Sequence, residues 1–401
     1  MTEIADKGLL PAGLRDVLPP DAAFEADIVG RLVALFASHG FERVKPPLLE
    51  FEETLLGGNG AAVSGQTFRL MDPVSHRMVA LRPDMTLQVA RIAATRLRRR
   101  PRPLRLCYAG QVLRVKGTQL RSERQFGQVG AELIGATSAA ADAEIILLGI
   151  EALALVGVRQ LSVDIGMPTL VPALLADRNL DPVLLGRLRL ALDRKDAAAV
   201  AALEPALGAA HGGRVADTLG AMLASAGEGA ETLAALAKLD LPPPAAAERA
   251  ALGEVVGRVT EGLAGIGADG VSLTVDPVEN RGFEYHTGAN FTYFAGGVRG
   301  ELGSGGRYRA GNGSAEAEPA TGLTLFTDTL LAALPQPAPA RRLYLPLDVP
   351  VAEARRLRRE GWITVAALGP DVDPAAAARA MGCAFVWDKG RSIPVELSRK
   401  T

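Results

Sequence analysis

Cysteine is nearly missing from this 401-residue chain, with Cys107 and Cys383 the two that occur. That excludes a disulfide framework and points to a reducing, cytoplasmic setting. Histidine is scarce too: His39, His76, His211 and His286 are spaced with neither a cysteine nor one another as metal ligands would be, so no metal or other cofactor is expected. The formal net charge is −1, which gives no general attraction to nucleic acid. No stretch reaches the ~20 apolar residues of a membrane helix. The start, MTEIADKGLL, has neither the basic beginning nor the apolar stretch of a signal peptide. What the chain does have is apolar content, 48% hydrophobic residues, and length enough for two or three domains by the soft prior of ~100–200 residues each.

The stretch 107–135, CYAGQVLRVKGTQLRSERQFGQVGAELIG, reads as two antiparallel strands joined by a long polar loop. Strand alternation puts Phe126, Gln128, Gly130, Glu132 and Ile134 on one face, and Val129 and Leu133 on the other. Arg114 ends the first strand. Four residues of strand span about 13 Å, so Gln128 and Glu132 are expected to reach the two ends of a small zwitterion. Upstream, the spacing of Phe24, Ile28, Leu32, Leu35 and Phe36 predicts a helix from Asp21 to a stop at Gly40, followed by a short strand at 41–44. Residues 56–65 read as a loop; its glycines lack the lysine and the strand-to-helix context of a phosphate cradle. A hairpin is expected at 67–81. In LRPDMTLQVARIAATRL, Asp84 is either a helix cap or a ligand carboxylate, and Thr86 lies in the first helical turn. The run RLRRRPRPLR, 96–105, is either a binding patch for an anionic partner or a solvated helix end.

Residues 142–156 predict an amphipathic helix, and 161–165 with 271–275 predict two strands of one sheet. An Ala- and Leu-rich helical insertion, about 168–262, lies between them. NRGFEYHTGANFTYFAGGVRGELGSGGRYRAG, 280–311, alternates as two more strands and collects most of the aromatics. There Gly303–Gly306 allows either close backbone approach to a ligand or a tight hairpin, and a lone His286 is more often structural than functional. A strand running into a helix follows at 319–334. Residues 335–341 form a Pro-rich linker, and 342–401 alternate strand and helix as a small α/β domain.

The order and spacing of PAGLRD, PPLLE, LRPD-T, QFGQVGAE, RGFEYHTG and GGRY over about 10–334 resemble the catalytic core of histidyl-tRNA synthetase. The resemblance implies an α+β, class II synthetase-like antiparallel sheet flanked by helices, spanning 1–334, and a self-dimer through the first helix and strand. It implies that Asp84, Thr86, Gln128, Glu132, Arg281, Tyr285 and His286 hold L-histidine, with Glu284 in place of the family's aspartate. Arg114 joins this set on the pocket face. The chemistry suits the ligand: carboxylates for an ammonium, arginine for a carboxylate, acceptors for imidazole N–H groups. The nucleotide side departs from the pattern. Lys116 stands where the family has glutamate, TQLRSERQF lacks the Lys-Gly-Arg run, and Asp328 and Thr329 replace a glutamate and an ATP-binding arginine. Losing one preorganised donor of this kind costs roughly 100- to 1000-fold in rate. The truncated C-terminal domain is short for an anticodon-binding domain. A kept amino-acid pocket beside a broken ATP site resembles the ATP phosphoribosyltransferase regulatory subunits. That family implies a non-catalytic partner of a short-form catalytic subunit, in a hetero-oligomer, often an octamer, that performs the first step of histidine biosynthesis under feedback by L-histidine. The alternative is an active histidyl-tRNA synthetase.

Overall fold

The computed structural model describes residues 9–396 apart from 119–120, 179, 211–212, 269, 280–284, 312–316, 336 and 338–339. The chain divides into two compact units, Met1–Pro335 and Gln336–Thr401.

In the first unit, helix α1 (Asp21–Ser38) buries Ile28, Leu32 and Phe36, one apolar stripe at helical spacing, and Gly40 follows at φ +81°. The short strand β1 (Glu42–Arg43) and strand β2 (Leu49–Phe51) come next. Residues Gly58–Gln66, expected as loop, form a 3₁₀ stretch. Strands β3 (Arg69–Met71) and β4 (Met78–Leu81) make the expected hairpin, with β2 pairing on β4's other edge. Helix α2 (Thr86–Ala94) is followed by the long hairpin β5 (Leu104–Leu113) and β6 (Gln125–Ile134). Helix α3 (Ala139–Val156) leads to β7 (Leu161–Gly166). The sequence pattern predicts an amphipathic α3, yet Asp142 is buried along with residues all round the helix. Arg307 reaches across to pair with that carboxylate at 2.9 Å, which lets the polar side be covered as well.

The helical insertion contains α4 (Pro182–Asp193), α5 (Val215–Ser225), the short strand β8 (Gly227–Glu228), α6 (Gly229–Leu236) and α7 (Pro243–Gly265). The chain then returns as β9 (Ser272–Asp276), β10 (His286–Ala295), β11 (Gly303–Ala310), β12 (Glu318–Phe326) and α8 (Thr327–Ala333). Among the described residues, nine strands form one sheet in the order β1-β5-β6-β12-β11-β10-β7-β9-β8. Pairing is antiparallel except for β1 with β5 and β7 with β9. The two strands that flank the insertion are therefore neighbours, as their alternation predicts.

Period-two alternation divides the hairpin between two cores. Val129, Ala131 and Leu133 face α1 and α3, in a cluster with Ile28, Phe36, Ile145 and Leu153. Phe126 and Ile134 face the other way, with Tyr108, Tyr308, Phe326 and the α2 residues Val89 and Ala93. Glu132 belongs to this second face, and that fixes where a polar site lies.

In the second unit, β13 (Arg342–Leu345), α9 (Val351–Arg359), β14 (Ile363–Ala366), α10 (Pro374–Ala380), β15 (Phe385–Asp388) and β16 (Arg391–Pro394) form a four-stranded sheet in the order β14-β13-β15-β16, with two small apolar clusters. Strand β16 was not expected from the sequence.

Candidate functional site

The register builds a trench across the sheet. Glu132 on β6 lies beside Gly322 on β12, which lies beside Gly306 on β11. A Cβ on Gly322 would come within 1.7 Å of a Glu132 carboxylate oxygen, so only glycine leaves that carboxylate room. One row along, Tyr108 crosses the place where a Gly130 side chain would stand, 2.4 Å from such a Cβ. The resulting cavity, about 360 Å³, is lined by Asp84, Thr86, Arg114, Glu132, Tyr285, His286, Glu301 and Tyr308 among others. Gly305 and Gly306 are strand residues beside it, so their smallness serves close approach; the hairpin turn lies elsewhere.

Glu132 is 1% exposed. Its oxygens accept from the Tyr108 hydroxyl at 3.2 Å and the Tyr308 hydroxyl at 2.9 Å. Tyr108 also bonds the hydroxyls of Thr324 at 2.7 Å and Thr86 at 3.1 Å. Burial pushes the Glu132 carboxyl up to about 8, with the Asp84 charge adding to the rise and the hydroxyl bonds opposing it. Tyr285 stacks on Tyr308 with ring centroids 5.1 Å apart, and His286 meets Tyr285 edge-on at 5.2 Å. The Arg114 guanidinium lies over Phe126 at 5.1 Å and donates to the Pro83 carbonyl at 3.3 Å.

Asp84 stands one residue before Met85, the N-cap of α2, and lines the cavity. One oxygen accepts the Thr86 N–H at 2.8 Å, in the first turn of α2, while the carboxylate faces the cavity. Gln128 stands on the same strand at the Asp84 end of the cavity. It is wholly buried; its Nε2 donates to Asp84 at 2.8 Å and its Oε1 accepts the Met85 N–H at 3.0 Å. These two bonds hold the Asp84 segment against β6. Arg281 and Glu284 fall outside the described residues. Gly127 faces away from the cavity, where a Cβ would meet the Thr327 hydroxyl at 2.5 Å.

Sequence reading missed Tyr108, Tyr308, Thr324 and Glu301. Two had a usable signal: Tyr108 stands across from Gly130, so a large ring faces a position without a side chain, and Tyr308 ends the GGRY motif. Three arginines of the 96–105 run have carboxylate partners on other elements. Arg100 pairs with Glu42 at 2.6 Å and Arg102 with Glu318 at 2.5 Å, while Arg105 pairs with Glu144. Those three are committed to holding strands and helices together.

The nucleotide-side substitutions gather at a second cavity of about 550 Å³, lined by Arg114, Lys116, Thr118, Arg121, Glu123, Phe126, Glu301 and Thr329. Thr329 spends its hydroxyl on the Glu301 carbonyl at 2.7 Å. Asp328 pairs with Arg121 at 2.8 Å. Among the described residues, no cluster of three or more His, Cys, Asp or Glu could hold a metal, and no helix is long and apolar enough to cross a membrane.

A family model described as histidyl-tRNA synthetase matches residues 13–330, so fold and site define a protein of the histidyl-tRNA synthetase class. Solved structures agree. A chain from Bacillus halodurans described as an ATP phosphoribosyltransferase regulatory subunit/histidyl-tRNA synthetase superposes with TM-score 0.77 at 27% identity, over 92% of this chain and 96% of that one. A histidyl-tRNA synthetase from Nostoc superposes with TM-score 0.70 at 18% identity, over 94% and 90%, a likeness that bears on fold alone. The regulatory subunit of ATP phosphoribosyltransferase from Paramagnetospirillum magneticum is 57% identical over 96% of this chain and 97% of its own length. That from Rhodospirillum rubrum is 50% identical over 98% of each. The chain belongs to the family of ATP phosphoribosyltransferase regulatory subunits.

Proposed function

We propose that this chain is a non-catalytic, histidine-sensing subunit that joins a short-form ATP phosphoribosyltransferase catalytic subunit in a hetero-oligomer, an octamer by analogy, and mediates feedback by L-histidine. The observation that carries this reading is the asymmetry between the two cavities. One keeps Asp84, Glu132 and Arg114, which suit the ammonium, imidazole and carboxylate of an amino acid. The other has Lys116 and Thr329 at positions where adenylate chemistry requires opposite or stronger groups, and its Arg121 is already paired with Asp328. Regulation is then a coupling free energy: histidine favours one quaternary state, and that state has a less active partner.

The test is the thermal stability of the purified chain with L-histidine. A ligand that binds only the folded state at 100 times its Kd adds about 2.7 kcal/mol. No rise in Tm at millimolar histidine refutes the pocket. In the assembled complex, Glu132→Gln is expected to weaken feedback and leave assembly intact. The family match over residues 13–330 keeps an active synthetase as a second reading. Histidine-dependent exchange of pyrophosphate into ATP supports that reading, and its absence removes it.

A further inference from the structure

An arginine that is 9% exposed, in a loop between two strands, requires a reason. Arg121 has two. Its Nε lies 2.8 Å from the Asp328 carboxylate, itself 11% exposed at the start of α8. Its guanidinium carbon is 4.5 Å from the centre of the Phe126 ring and 4.1 Å from that of Phe326. The backbone around it is shaped to this pose: the Thr118 N–H donates to the Arg121 carbonyl at 2.6 Å, and the Arg121 N–H donates to the Thr118 hydroxyl at 3.0 Å. The loop's own cation therefore sits inside the fold, against the wall of the second cavity.

That wall is shared. Phe326 lines the amino-acid cavity and also carries the Arg121 guanidinium. Arg114 and Glu301 line both cavities. Arg114 and Arg121 are like charges over the same Phe126 ring, so each disfavours the other. A ligand carboxylate bound at Arg114 removes part of that repulsion. We propose that the Arg121–Asp328 pair is a latch that pins the β5–β6 loop to α8, and that an amino-acid ligand in the neighbouring cavity strengthens it through Arg114. The latch stands on the geometry alone; the coupling rests on the histidine reading above. The loop is thereby the element whose equilibrium the ligand biases, which is the differential interaction that a ligand-driven change requires.

The experiment is hydrogen exchange of the loop amides, Thr118 and Arg121 above all, in the full chain with and without saturating L-histidine. Histidine binding is followed by calorimetry on the same samples. Asp328→Asn is expected to raise exchange of these amides at least tenfold without ligand. In the unsubstituted chain, histidine is expected to slow them at least threefold; in Asp328→Asn it binds but no longer slows them. The double substitution Arg121→Gln with Asp328→Asn leaves no buried charge unpaired, and is expected to behave as Asp328→Asn does even where the single variant fails to fold. Unchanged protection in the variants overturns the latch. Histidine bound to the unsubstituted chain with no slowing overturns the coupling and leaves the latch standing. No heat of binding overturns the histidine reading and the coupling together, and the variants still decide the latch.

Discussion

Glu132 makes the stability of the first unit depend on pH in a way that can be isolated. Its carboxyl is held at about 8 in the folded chain against an ordinary 4.5, chiefly by burial. Between those limits the folded state keeps a proton that the unfolded state has lost. Stability therefore falls as pH rises, fully present below 4.5 and lost progressively up to 8. Each pH unit inside the window changes the folding free energy by about 1.4 kcal/mol. From pH 5.5 to 7.5 that amounts to roughly 2–3 kcal/mol from one residue. Glu132→Gln keeps the shape and removes the titration, so the difference between the two proteins cancels every other ionisable group. Urea unfolding at several pH values supplies the measurement. Tryptophan fluorescence is the wrong probe, because Trp362 and Trp387 both lie in the second unit. Far-ultraviolet circular dichroism or tyrosine emission follows the first. The variant is expected to gain on the parent by roughly 2–3 kcal/mol across this range. Parallel pH profiles would refute the buried, raised carboxyl and with it the account of the cavity floor. A ligand cation that bonds the ionised carboxylate is expected to flatten the parent's profile.

Other substitutions test the site's supports. Gln128→Ala leaves the Met85 N–H without its acceptor and one Asp84 oxygen without its donor. It is expected to cost about 1–3 kcal/mol in urea unfolding and to weaken the histidine-dependent rise in Tm. Gly322→Ala places a methyl on the Glu132 carboxylate, and is expected to abolish that rise and lower stability by about 1–3 kcal/mol. Asp142→Ala strands the Arg307 cation in a site where it is 11% exposed. It is expected to lower the urea midpoint by the equivalent of about 3–5 kcal/mol, with no specific effect on ligand affinity per folded molecule.

The hairpin at 107–135 shows what local pattern can decide. Alternation alone separates Val129 and Leu133 from Glu132, because the side-chain period of a strand is two whatever it packs against. The same argument pairs 161–165 with 271–275 across a hundred intervening residues, and the glycine at 40 ends α1 through its own backbone preference. The ordered motifs carried the class II fold, since several of them at matching spacing constrain far more than one glycine pattern does.

The sequence by itself determined which strand residues lie on which face, where the main elements of the first unit fall, and that the nucleotide-side positions depart from the family pattern. It could not determine what each polar side chain spends its hydrogen bonds on. Gln128 and Glu132 look equivalent four residues apart on one strand, yet the first bonds Asp84 and the Met85 N–H, while the second accepts from the Tyr108 and Tyr308 hydroxyls at the cavity. Three arginines of the 96–105 run look like free surface charges until Glu42, Glu318 and Glu144 arrive from elements far away in the chain. Arg121 looks like a loop cation until Asp328 and two phenylalanine rings surround it. Those pairings are made by long-range register and burial. A charge's role depends on the partners and dielectric around it, and only the tertiary structure brings those together.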